Sequence, residues 1–116
     1  MPDQVGGSVN IANDVLADLA GYAALESYGV VGMASPTLRD GVAQLLPQQK
    51  LRRGVRIAAK EGGVLVDLYV VIEHGTNLAE VSHNLAHRVH YVLTDTAEVR
   101  VDGVEVHVQG VKVRTP

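Results

Sequence analysis

The 116-residue sequence contains no cysteine, no phenylalanine and no tryptophan, and it has four tyrosines. Without cysteine, disulfide bonds and thiolate chemistry are excluded, which fits a reducing compartment. Without large aromatic side chains, the core must be built from smaller aliphatic residues, and 21 valines are its main supply. Because β-branched residues favour strands, we expect a sheet to contribute much of the buried surface.

The sequence also lacks a strong charge imbalance and a long apolar run. Ten basic and thirteen acidic residues give a net charge of −3, which argues against a dedicated polyanion-binding protein. No apolar run approaches the roughly 20 residues that cross a bilayer, and the start, MPDQVGGSVN, has no secretion-signal pattern. We expect one domain over residues 1–116, with its core at about 9–112, in a cytoplasmic protein. If the protein acts at a membrane, a partner must hold it there.

Hydropathy patterns in the first half predict a short strand followed by two helices. The strand is expected at residues 8–11, and the first helix runs over 11–28, with Asn10 as N-cap and Gly29 after its end. The second helix is predicted from Ser35 to Leu46, between a Ser-Pro start and Pro47. Its expected apolar stripe consists of Leu38, Val42, Leu45 and Leu46.

The second half contains the clearest signals. Alternating apolar residues on both sides of Glu61-Gly62-Gly63 predict a β-hairpin over 55–73. A helix follows, with Asn77 and Glu80 at the spacing of a capping box. In the last strand the apolar parity changes at Asp102-Gly103, which indicates a tight hairpin or, as we prefer, a β-bulge. The order β-α-α-β-β-α-β predicts an α+β two-layer sandwich, with helices on one face of a small, mostly antiparallel sheet.

Three of the five histidines lie at positions 83, 87 and 90, in the segment HNLAHRVH. At about 100° per residue they point away from the apolar stripe of the predicted helix. Histidines four residues apart can bind zinc, but HExxH is missing and no Asp or Glu lies within the segment. We therefore interpret His83, His87 and His90 as a solvated or partner-facing surface. His74 and His107 are interpreted as structural or solvated, and we predict no catalytic residue, cofactor or metal site.

Two further motifs could contact a partner. The segment KLRRGVR places Lys50, Arg52, Arg53 and Arg56 close together, where they could contact phosphates or an acidic partner. A solvated loop entering a strand is the simpler interpretation. The segment GVVG, residues 29–32, has the form of the loop that KH modules use to clamp nucleic acid, but its neighbours include no basic residue.

Together these segments resemble the alkaline shock protein family of Gram-positive bacteria, also called envelope stress response proteins. The resemblance rests on IANDVLADLAGYAALESYGVVGMAS, VDLYVVIEHG, NLAEVSHNLAHRV and VEVHVQGVKV, and it runs from about Val9 to Lys112. The family pattern usually has a proline where this chain has Ala79, and it does not include the histidines at 83, 87 and 90. The resemblance implies a non-enzymatic protein of cell-envelope homeostasis and stress response, which self-associates or docks to a membrane-anchored protein.

Two alternative functions remain open from the sequence. One is a small RNA-binding module of KH-like topology, and the other is an accessory partner of a dihydroxyacetone-kinase-like or fatty-acid-kinase-like protein, as the resemblance to shorter family members implies. A metal-dependent enzyme ranks last, because the histidine cluster lacks the other ligands of such a site.

Overall fold

The computed structural model describes residues 11–113 of the chain. Its elements, in chain order, are α1 (Asn13–Leu25), β1 (Val30–Met33), a 3-10 helix (Gln48–Gly54), β2 (Val55–Lys60), β3 (Gly63–Glu73), α2 (Leu78–Thr96) and β4 (Arg100–Lys112). The predicted strand at residues 8–11 and the predicted N-cap Asn10 fall largely outside the described residues. Helix α1 begins after Ala12, which makes no side-chain capping hydrogen bond.

Strand β3 is the centre of the sheet. On one edge it pairs in parallel with β4 along its whole length, from Gly63 opposite Arg100 to Glu73 opposite Lys112. On the other edge it pairs antiparallel with β2 through its first half and with β1 near its end. Because a strand has two edges, β1 and β2 lie end to end along the second one. The predicted mostly antiparallel α+β architecture is confirmed, since two of the three pairings are antiparallel.

Both helices cover the same face of the sheet. Alternate residues of β3 point into one apolar cluster, which also contains the inner faces of α1 and α2. The β3 members of that cluster are Val64, Val66, Leu68, Val70 and Ile72. Small side chains dominate the buried face of α1, and they let it approach the 3-10 helix closely, with Gly21 against Leu51. The opposite face of β3 is left without a helix, and we call it the open face.

The hairpin and the second-half helix are confirmed. Lys60 pairs with Gly63 across the two-residue turn Glu61-Gly62, and both turn residues have positive φ, at 48° and 87°. This is the backbone that type I′ hairpins require, and glycine adopts it readily. In α2 the Asn77 side chain accepts a hydrogen bond of 2.9 Å from the Glu80 backbone N–H, which is one half of the predicted capping box.

The predicted helix over residues 35–46 is wrong. The segment instead doubles back as an irregular hairpin, which we call the arm (residues 34–46), with isolated bridges between Ala34 and Leu45 and between Arg39 and Val42. Its tip is Asp40-Gly41, and both residues have positive φ. An Asp-Gly turn and a central glycine disfavour helix, and they outweighed a helical stripe that fits an extended chain equally well.

Two further differences concern strands. The sequence predicted no strand at GVVG, where Gly29 was expected to follow the end of the first helix, but Val30–Met33 forms β1. The predicted β-bulge at Asp102 is confirmed by a register shift between Val101 and Gly103, and a second bulge at Gln109 was not predicted. Within residues 11–113, no helix combines the length and apolar character needed to cross a bilayer.

Candidate functional site

The three clustered histidines lie where the helical geometry placed them. His83, His87 and His90 are exposed on α2, while Val81, Leu85, Val89 and Leu93 are buried on its other side. The rings of His83 and His87 are 6.4 Å apart between centroids and tilted by 35°. Among the described residues, no third metal-ligating side chain converges with this pair. The assignment of this face as a solvated or partner-facing surface stays a prediction.

The four basic residues of KLRRGVR do not form one patch. Arg52 reaches back to α1, where it makes a bidentate pair with Asp18, at 3.1 and 2.9 Å, and contacts Asp14 at 3.0 Å. The hydrogen bond to Asp18 and the negative charges of both carboxylates raise the pKa of Arg52 above its ordinary value. Arg52 stays charged, but its charge is balanced by the two carboxylates of α1, which weakens it as a contact for an anionic partner.

The other basic residues point to different places. Lys50 and Arg53 are both exposed within the 3-10 helix. Arg56 lies on β2, and its guanidinium carbon is 5.6 Å from the centroid of the Tyr69 ring on β3. That distance is typical of a cation–π contact. An anion contact at Lys50, Arg53 and Arg56 stays a prediction.

The KH-like motif has the wrong geometry for clamping a nucleic-acid backbone. Gly29 is buried against α2, and Gly32 is buried inside strand β1. A KH loop must expose its backbone to the nucleotide chain, and buried glycines in a paired strand do not. The structure therefore gives the RNA-binding alternative no support through this motif.

Polar side chains converge on the open face, at the middle of β3 and β4. Asp67 stands opposite Glu105, and Tyr69 opposite His107, in the parallel pairing of these strands. Nε2 of His107 is 2.9 Å from Oδ1 of Asp67, and the His107 ring stacks on Tyr69 with centroids 4.5 Å apart and planes 10° apart. One ligand atom from each of Asp67, Glu105 and His107 lies within 4.8 Å of the others. We call these three residues the acid–histidine cluster.

The arm covers the end of the open face beyond the acid–histidine cluster, near Gln109 of β4. The side-chain amide of Gln109 donates to the carbonyl oxygens of Ser35 and Pro36, at 3.1 and 3.0 Å. Ala43 of the arm and Val71 of β3 line a shallow depression beside Gly110. Val71 is buried, but it lies outside the main core. The acid–histidine cluster is therefore the more accessible part of this face.

The outer edge of β4 is a second exposed feature. Among residues 11–113, no strand pairs with this edge, which runs over the 13 residues of Arg100–Lys112. Exposed apolar side chains stand near its end, at Val108 and Val111, and just after it, at Val113. At its start, Arg100 hydrogen-bonds to Asp102, which raises the pKa of the guanidinium above its ordinary value. A long open strand edge can pair with a strand of another chain.

Comparison with protein families places the chain. A family model for alkaline shock protein 23, described by a cell envelope-related function, matches residues 2–113. The chain belongs to this alkaline shock protein family. The resemblance seen in the sequence is thereby confirmed.

Relatives of this family member include two bacterial proteins that their names describe as uncharacterised. The chain is similar to protein YloU of Bacillus subtilis, with 38% identity over 91 residues, covering 78% of this chain and 76% of YloU. It is also similar to protein Spy1614 of Streptococcus pyogenes, with 36% identity over 88 residues, covering 75% and 73% of the two chains. Their descriptions add no activity to the family's envelope-related function.

Among solved structures, the chain is similar to variants of the MamM CTD. One variant gives a TM-score of 0.55 at 13% identity, covering 89% of this chain and 96% of the other. A cadmium form of a second variant gives a TM-score of 0.52 at 12% identity, with 89% and 98% covered. At such low identity the likeness concerns the fold alone, and it supports the α+β architecture.

Sequence reasoning missed the acid–histidine cluster. It interpreted His107 as structural or solvated and gave the residue no partner. Asp67 is 40 positions away along the chain, and the parallel β3–β4 register that joins the two residues is not a local property. A usable signal was present, since VDLY and VEVHV each place a polar residue on the outward parity of a valine-rich strand.

Proposed function

We propose that this family member supports the cell envelope as a non-catalytic interaction module, which self-associates and docks to a membrane-anchored protein partner. The family's cell envelope-related function gives the general setting. The observation that carries the proposal is the outer edge of β4, which no described strand covers. Self-association and docking both need such a surface, and a sheet edge offers backbone donors and acceptors to an incoming strand.

The apolar end of this edge agrees with use as a contact. Val111 is 47% exposed in β4, and Val113, just after the strand, is 64% exposed. Charge and bulges oppose edge-to-edge association, and the charged residues of β4 are Arg100, Asp102, Glu105 and Lys112. The bulges of β4 at Asp102 and Gln109 interrupt the edge, and they leave the segment from Gly103 to Val108 regular between them. We place the contact at this segment and at the exposed valines that follow it.

Self-association is tested by measuring molar mass over a concentration series, by light scattering or sedimentation equilibrium. We expect the unmodified chain to form a dimer or larger assembly, and Val111→Lys to shift it toward the monomer, because a lysine on an edge strand opposes edge-to-edge pairing. Val15→Lys is the matched control, since Val15 is 49% exposed on α1, away from the edge. A monomeric parent chain, or equal dissociation of both variants, would contradict self-association through β4.

Docking to a membrane-anchored partner is tested in the native host by mild crosslinking, affinity purification and mass spectrometry. We expect recovery of a membrane-anchored protein that is lost from the Val111→Lys sample and retained with Val15→Lys. Recovery of ribonucleoproteins alone would favour the RNA-binding alternative. Recovery of a dihydroxyacetone-kinase-like protein as the main partner would favour the accessory role instead.

A further inference from the structure

We propose that the acid–histidine cluster of Asp67, Glu105 and His107 binds a divalent transition-metal cation, for which Zn²⁺ is the best-matched ion. The inference goes beyond the proposed envelope function and does not depend on it. Two of its ligands, Glu105 and His107, lie in the β4 segment of the proposed docking contact. Their side chains stand on the open face of the sheet, whereas strand pairing would use the backbone of the outer edge.

The three ligands come from two neighbouring strands with a fixed register. Asp67 and Glu105 are direct partners across the β3–β4 pairing, and His107 lies two residues beyond Glu105 on the same side of the sheet. Their ligand atoms already lie within 4.8 Å of one another. Strand pairing therefore supplies the convergence that a metal site needs before any ion is present.

The donor set suits a borderline transition metal. One imidazole and two carboxylates bind Zn²⁺ at about 2.0–2.2 Å, and water completes a tetrahedral shell. A tetrahedral ion at those distances holds its N and O ligands roughly 3.4 Å apart. Nε2 of His107 and Oδ1 of Asp67 are 2.9 Å apart, so a shift of about half an ångström admits the ion. Both side chains are only part-buried, which leaves them room to move.

The hydrogen bond between His107 and Asp67 can be replaced by metal ligation. An ionised carboxylate can only accept a hydrogen bond, so Nε2 of His107 carries the proton that it shares with Asp67. For Zn²⁺ to bind, the lone pair of Nε2 must be free: a neutral ring takes the tautomer with its proton on Nδ1, and a doubly protonated ring releases its Nε2 proton to water. The cation then lies between Nε2 of His107 and Oδ1 of Asp67, in place of the proton of their hydrogen bond.

Charge on this face favours a cation at the cluster. Asp67 and Glu105 face each other across adjacent strands, and like charges in such positions repel. A divalent ion between them cancels that repulsion and ties β3 to β4. The stack of His107 on Tyr69 fixes the plane of the imidazole, so its nitrogen loses little freedom when the ion binds.

Arg56 carries a positive charge that disfavours cation binding at the acid–histidine cluster. It stands opposite Asp67 in the β2–β3 pairing, and its guanidinium lies over the Tyr69 ring on the same face. Its positive charge raises the free energy of a nearby cation. We therefore expect Arg56→Gln to strengthen metal binding, which is a change that a nonspecific surface site elsewhere on the chain would not show.

The test is isothermal titration calorimetry of ZnCl₂ into the metal-free full chain in a weakly coordinating buffer. We expect one Zn²⁺ per chain, with binding weakened by more than about tenfold in Glu105→Gln and Asp67→Asn, and abolished in His107→Gln. Glu105 is exposed, so its variant is expected to keep the fold, as checked by circular dichroism. Backbone amide NMR of the same titration should show shifts centred on residues 67, 105 and 107.

The helix histidines provide the matched control. His83→Ala with His87→Ala removes two exposed imidazoles from α2, and we expect it to leave Zn²⁺ affinity and stoichiometry unchanged. The proposal is overturned if the parent chain binds no Zn²⁺, if Glu105→Gln and His107→Gln bind as tightly as the parent, or if only the helix double variant loses binding. None of these results depends on whether the chain dimerises through β4.

Discussion

The outer face of α2 and the open face of the sheet both carry histidine, and they hold it in different ways. On α2, His83 and His87 are close in sequence, yet their rings tilt apart on an exposed surface. On the sheet, His107 is the one histidine of β4, and it has both a hydrogen bond to Asp67 and a ring stacked on Tyr69. Close spacing in sequence therefore did not identify the more structured site.

The difference follows from the shapes of the two surfaces. A single helix is convex, so side chains on one arc spread outward, and a second element is needed to complete a ligand set. Neighbouring strands are about 4.8 Å apart, and the side chains on one face run nearly parallel. Residues from distant parts of the chain are thereby brought within ligand distance, as Asp67 and Glu105 are.

The largest expected effect separates the two faces of β3. Leu68 is fully buried under the helices, so Leu68→Ala should lower the free energy of unfolding by about 2–5 kcal/mol. Leu65 is 40% exposed on the open face, and Leu65→Ala should cost about 1 kcal/mol or less. Urea unfolding of both variants measures the contrast. Equal losses would mean that the open face is covered in solution.

The next effect concerns the contact of Gly29 with the buried side of α2, opposite the exposed histidines of that helix. Gly29 has a φ of +85°, and an added Cβ would lie 2.7 Å from Cγ2 of Val81 on the inner side of that helix. Gly41 also has a positive φ, of +76°, with nothing within 4 Å of an added Cβ. Gly41→Ala should cost only the left-handed strain of about 1–2 kcal/mol, and Gly29→Ala should cost clearly more.

Thermal or urea unfolding of the two glycine variants distinguishes strain from collision. If Gly29→Ala costs no more than Gly41→Ala, Gly29 and Val81 of α2 must be able to move apart. The packing of α2 against the turn before β1 would then be looser than the structure indicates.

The smallest effect compares the two histidine environments directly. His107→Ala removes the contact with Asp67 and the stack on Tyr69, and it should lower the free energy of unfolding by about 1 kcal/mol in metal-free buffer. His87→Ala removes an exposed side chain and should stay within about 0.5 kcal/mol of the parent. Equal values from urea unfolding would show that the sheet environment adds no stability to its histidine.

Local patterns predicted several elements well. Strict alternation through Val64, Val66, Leu68, Val70 and Ile72 predicted a strand with one buried face, because side chains of a strand alternate between its faces. The turn at Glu61-Gly62 was recognised for a similar reason, since its positive φ values select particular residues. The cap at Asn77 is equally local, as donor and acceptor lie three residues apart.

The arm shows where local patterns were ambiguous. Leu38, Val42 and Leu45 have helical spacing, but the segment forms no helix and instead reaches β4 through Gln109, whose amide binds the carbonyls of Ser35 and Pro36. These contacts join residues more than 70 positions apart. An apolar stripe stabilises a helix only when it packs against other apolar side chains. The core face of the sheet is covered by α1 and α2.

The sequence by itself determined the family, the α+β class, the hairpin, the capped helix α2 and the outward direction of its three histidines. Each of these depends on residue type and on spacing within a few turns of chain. Only the tertiary structure decided that β4 pairs in parallel with β3, and with that pairing the meeting of Asp67, Glu105 and His107 on the open face. A local turn sets the register of the β2–β3 hairpin, but β3 and β4 are joined through a helix, so their register depends on how the whole sheet packs against its helices.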